Sequence, residues 1–142
     1  MTTAAGRAGA DSATPANGLV YDTGALVAAE RGDRDLWTMH KAALAMDATI
    51  LVPTVVYAQA WRGGRRSANI GRLVKACTLR DLDPETARRA GELCGAAGTD
   101  DIVDATVVTT AKRAGAVVVT SDPGDISKLA GATNLRLEIR IV

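Results

Sequence analysis

The sequence predicts an α/β fold with a mainly parallel central sheet flanked by helices. Short apolar runs recur along the chain: Leu19-Val20-Tyr21, Ile50-Leu51-Val52 and the β-branched Ala116–Thr120. Between them lie longer segments with helical periodicity, opened by capping residues or closed by glycines. The length of 142 residues, 47% hydrophobic and 23% charged, is about one domain and enough to bury a core.

Residues 1–18, mostly Ala, Gly, Thr and Ser, show no periodicity and read as a mobile leader; residues 19–142 read as a single domain. The first strand ends at Asp22. A helix follows from Thr23 to Arg31, stopped by Gly32, and a second runs from Asp33 to Met46 with Leu36, Met39, Ala43 and Trp37 on its apolar stripe. After Ile50–Val52, Pro53 suits the first turn of a helix reaching Trp61. Gly63-Gly64 breaks it, Ser67 to Ala76 is helical, and Thr78 to Leu82 reads as a strand. Asp83-Pro84-Glu85 supplies an N-cap, a proline and a first-turn acid for a helix to Cys94, ending in Gly95–Gly98. Thr99 or Asp100 caps the helix from Ile102 to Arg113. The strand Ala116–Thr120 is followed by the turn Ser121–Gly124 and a short helix through Leu129. Leu135 to Val142 alternates like a strand at the sheet edge.

Composition excludes several functions. Seventeen Lys and Arg against sixteen Asp and Glu leave a net charge of +1, so the whole chain is no polyanion coat, although a local basic face remains open. No apolar run approaches the roughly 20 residues of a membrane helix, and the N-terminal stretch lacks the apolar region of a secretory signal. Cys77 and Cys94 lack metal-site spacing and fit a reduced, cytoplasmic protein, with a disulfide between them as the open alternative. The single histidine, His40, removes His-rich zinc sites and most His-based triads, and reads as a surface or packing residue. Chemistry therefore falls to carboxylates.

In open parallel sheets, ligands bind beyond the carboxyl ends of the strands. Asp22 ends the first strand and Asp122 lies two residues past Thr120, so both fall at that edge; each also has a bland role, as an N-cap and as a turn former. Asp104 shares a helix face with Val107, Val108 and Ala111, which turns its carboxylate towards the buried side. Asp100 and Asp101 precede it, and Asp125 follows the turn. Clustered acids without His or Cys suit Mg²⁺ or Mn²⁺, and such ions suit phosphoryl chemistry.

Four blocks, YDTGAL, VPTVVYAQAWRGG, DATVVTTAKRAGAVVVTSD and the GD after it, together resemble the PIN domain, and within it the VapC-type ribonuclease toxins of bacterial toxin–antitoxin pairs. The resemblance covers Leu19 to the C-terminus. It implies a three-layer sandwich, an endoribonuclease that uses Mg²⁺ or Mn²⁺ to cut RNA, a homodimer, and a small cognate antitoxin. The matching metal-binding and catalytic acids are Asp22, Asp104 and Asp122, with Asp125 as an auxiliary acid, Asp101 as either another or only a capping residue, and Thr23 as the small hydroxyl residue supporting the metal shell. One position departs: the family's usual Glu after the VP strand end is Gln59, which can ligate or hold a water but adds no charge. That departure keeps a second reading open, a PIN module that binds RNA or a protein without cutting. A phosphatase-like hydrolase is disfavoured, because YDTG lacks an Asp two residues after the first.

Ala48 to Arg80 contains no Asp or Glu but holds Arg62, Arg65, Arg66, Arg72, Lys75 and Arg80. The stretch reads either as a solvated helical face or as an RNA-binding arm, Arg62 to Lys75, gripping phosphates beside the acids.

Overall fold

The computed structural model describes residues 18–132 and 139–142. Its strands are β1 (Leu19–Tyr21), β2 (Ile50–Pro53), β3 (Thr78–Arg80), β4 (Val117–Thr120) and β5 (Ile139–Ile141). They form one sheet in the order β3-β2-β1-β4-β5, and every neighbouring pair is parallel. The central strand is β1, with Val20 opposite Leu51 on one side and Val118 on the other. Its three residues are all buried, as the apolar LVY run requires of a strand covered on both faces.

Seven α-helices connect the strands: α1 (Thr23–Glu30), α2 (Arg34–Ala45), α3 (Thr54–Ala60), α4 (Ala68–Val74), α5 (Pro84–Ala97), α6 (Ile102–Ala114) and α7 (Pro123–Ala132). Helices α2, α3 and α4 pack around α1, and α5 and α7 pack on α6. The result is the expected helix–sheet–helix sandwich, with Leu26, Val56, Val107, Val108 and Ile126 buried against the strands. No helix among the described residues is long and apolar enough to cross a membrane.

Several boundaries differ from those expected. Gly18 belongs to the ordered domain: it is buried, and its carbonyl accepts from Val117 N at 3.0 Å. The rest of the expected leader, residues 1–17, lies outside the described residues, as do residues 133–138 of the expected last strand. Pro53 closes β2 instead of opening a helix, because its ψ of 138° keeps it extended while its ring fixes φ. A 3₁₀ turn, Gly64–Ser67, precedes α4, which is shorter than expected. Strand β3 stops at Arg80. Helix α5 runs through Gly95 to Ala97 and ends where Gly98 takes a left-handed φ of 69°. Helix α7 continues three residues past Leu129.

His40 is a core residue. Its Nδ1 lies 2.8 Å from the Tyr21 hydroxyl, linking α2 to β1, and the Trp37 ring meets it edge-on. Burial holds its pKa below the ordinary histidine value, so it stays neutral. Cys77 and Cys94 are free thiols.

Candidate metal centre

Because every strand runs the same way, β1 and β4 deliver their following residues to one edge of the sheet. Asp22 leaves β1 there as the N-cap of α1, its Oδ1 accepting from Ala25 N at 2.8 Å. The hydroxyl of Thr120, the last residue of β4, also bonds the Asp22 carboxylate. Only 5% of Asp22 is exposed, and that burial raises its pKa, with a smaller push from Asp122. Gly24 brings α1 close to the turn after β4: a Cβ there would lie 2.4 Å from Ser121 Oγ.

Asp104 stands in the first turn of α6, on the face that continues through the buried Val107, Val108 and Ala111. Asp101 caps the same helix, accepting from Asp104 N at 3.0 Å. Asp125 enters from the first turn of α7. Carboxylate oxygens of Asp101, Asp104 and Asp125 all lie within 4.8 Å of one another. Desolvation pushes Asp104 up to a pKa of about 7, aided by the charge of Asp101, by a hydrogen bond with it, and by Asp22 and Asp125.

The structure thus divides the expected acids into two linked groups. Asp104 belongs to both, meeting Asp101 and Asp125 directly and Asp22 through its charge. Asp122 is exposed, and its Oδ1 accepts from Gly124 N at 3.3 Å while its own N–H donates to Thr120 Oγ1 at 3.0 Å. Thr120 therefore serves two acids at once, a role sequence reading missed. The available signal was a hydroxyl at the strand end two residues before an Asp. Gln59 is exposed on α3, and its Oε1 accepts from Thr23 Oγ1 at 2.5 Å, which places it beside Asp22.

The donor set fits a hard divalent cation. It is all oxygen, it gathers acids from α1, α6 and α7, and burial together with neighbouring negative charge raises the pKa of Asp104, a cost that a bound cation would offset.

The basic residues are spread more widely. Arg66 pairs with Glu30 at 2.9 Å, and the Arg72 guanidinium lies 5.1 Å from the Trp37 ring centroid. Arg62 donates to the Trp61 carbonyl at 2.7 Å. Arg65 and Lys75 are exposed. Of the five expected RNA contacts, Arg62, Arg66 and Arg72 thus already hold partners within the fold.

An all-parallel sandwich with carboxylates gathered at the exit of its central strands defines a class of acidic-site α/β domains. A family model for the PIN domain matches residues 19–132, and the chain belongs to that family. Among curated proteins no relative matches by sequence. Solved structures share the fold, two of them as follows. One is VapBC2 from Rickettsia felis bound to a DNA fragment from their promoter, at 16% identity and a TM-score of 0.66, covering 85% of this chain and 97% of that one. The other is a toxin–antitoxin complex from Klebsiella pneumoniae, at 15% identity and a TM-score of 0.62, covering 77% and 90%.

Proposed function

We propose that the protein is a metal-dependent endoribonuclease, the VapC-type toxin of a toxin–antitoxin pair. The observation that carries this reading is the convergence of Asp101, Asp104 and Asp125 at the strand edge, with the charge of Asp22 also felt at Asp104. Asp22, Asp104 and Asp122 are the proposed catalytic and metal-binding acids, assisted by Asp101 and Asp125, and Mg²⁺ or Mn²⁺ is the ion their oxygens would hold. When bound, such an ion supplies an activated water and charge stabilisation for phosphodiester cleavage. The chain's own part is to hold the acids in place: α1 and α6 through their capping aspartates, Asp22 further through Thr120, and Thr23 through Gln59. Arg62, Arg65 and Lys75 would meet RNA phosphates.

Both structural neighbours are toxin–antitoxin assemblies, which supports a small antitoxin as the natural partner. A homodimer and a cytoplasmic location complete the reading, the latter in keeping with two free thiols. The competing view, a binding module without cleavage, rests on Gln59.

Incubating the purified protein with single-stranded RNA, in Mn²⁺ or in chelator, decides between them. Cleavage that needs the ion and disappears in Asp22→Asn, Asp104→Asn and Asp122→Asn is the expected result. RNA left intact by the wild type in Mn²⁺ would favour the binding module.

A further inference from the structure

Trp61 is the one exposed aromatic among the described residues, with 40% of its surface open. It is held in place nonetheless. Its ring meets Tyr57 at 5.4 Å and 74°, and its six-membered end lies over Gly71, where a Cβ would only just touch it.

The loop that follows is equally well tied. Ser67, almost wholly buried, accepts from the backbone N–H groups of Arg62 and Gly63 at 2.8 and 2.9 Å. Arg62 and Arg65 are exposed on this loop, Arg62 bonding the Trp61 carbonyl, and the sequence around it carries no acid from Ala48 to Arg80. Glu30, which reaches the loop from α1, is taken up by Arg66.

Trp61 also leaves the same helix that carries Gln59 to the edge of the acidic site. It follows Gln59 by two residues, and two residues of extended chain span at most about 7 Å. Gln59 touches Thr23, the neighbour of Asp22. A fixed, half-open indole beside two exposed guanidinium groups, neither of them paired with an acid among the described residues, is suited to a single-stranded nucleic acid: the ring offers a stacking surface for any base and the cations meet the backbone.

We infer that Trp61 stacks on an unpaired base of the RNA strand entering the acidic site, with Arg62 and Arg65 on the adjoining phosphates. The inference rests on the nuclease reading and adds to it a residue that grips a base and not the backbone.

Binding of a labelled single-stranded RNA to the full chain, in chelator so that nothing is cut, tests it by fluorescence anisotropy. The RNA is used intact and as a series with one abasic nucleotide at each position. For the wild type, one or two abasic positions should weaken binding about tenfold. Trp61→Ala should bind intact RNA weaker by a similar factor and ignore the abasic positions, while Trp61→Phe, which keeps a ring, should fall between. Circular dichroism of both variants checks that they fold.

Wild-type binding indifferent to every abasic position, or Trp61→Ala binding intact RNA normally, would overturn the inference and leave the nuclease reading standing. A Trp61→Ala variant that binds RNA normally yet loses a co-expressed protein partner would assign the ring to protein docking instead. Wild-type protein that neither binds nor cuts RNA would remove the nuclease reading, and this inference with it.

Discussion

At Asp104 burial and three neighbouring carboxylates act in one direction. In the unfolded chain this carboxyl ionises near 3.8; in the fold, desolvation and then Asp101 raise it to about 7. The folded state therefore keeps a proton that the unfolded chain gives up between those values. In chelator, this group's contribution to stability is complete below about pH 4 and declines as pH rises towards 7. Asp22, also raised, acts with the same sign. Thermal melts across this range should show the decline, and Asp104→Asn, which cannot ionise, should flatten it. Gln59 offers a second test. Its Oε1 already accepts from Thr23, so Gln59→Glu keeps the acceptor and adds a negative charge beside Asp22. Calorimetric titration should then show Mg²⁺ bound roughly tenfold tighter, a gain of about 1.4 kcal/mol. The sequence made these acids visible, since Asp22, Asp104 and Asp122 sit at strand exits and on a helix face that pattern alone identifies. It could not show that Asp122 bends back onto Gly124 while Asp101 gathers with Asp104 and Asp125, because such choices depend on loop geometry between distant elements.

Among the elements, strands and helices were legible wherever an apolar period met a capping residue. Asp22, Asp33 and Asp83 each accept from a backbone N–H three residues on; α6 is capped in the same way by Asp101, not by the expected Thr99 or Asp100. What pattern could not supply were ends decided by tertiary contact. Gly95 does not stop α5, since helical φ/ψ costs glycine only about 1 kcal/mol and the packed helix absorbs it. Gly18 looked like the tail of a featureless leader and is instead a fixed point of the sheet. Its φ of 97° is a left-handed value, and a Cβ there would lie 2.0 Å from the Thr49 carbonyl oxygen. Gly18→Ala should therefore destabilise the domain by roughly 2–4 kcal/mol, combining backbone strain with the clash. Urea unfolding measures it, with an unchanged m-value marking a loss of stability alone.

For the molecule as a whole, the acid cluster opposes folding when no cation is bound and should support it when one is. An ion that binds the folded state alone adds about 2.7 kcal/mol at a hundred times its dissociation constant. Melting in excess Mn²⁺ should rise accordingly, and Asp104→Asn should lose most of the rise. The order of the strands also sets a timetable. The central strand must pair residue 20 with residue 118, and the cluster needs carboxylates as far along as Asp125. A chain emerging from the ribosome begins at its N-terminus, so β1 waits unpaired on one flank while most of the polypeptide is made. On the nuclease reading proposed above, the acids consequently come together only once Asp125 has left the ribosome, and a shorter nascent chain holds no assembled site.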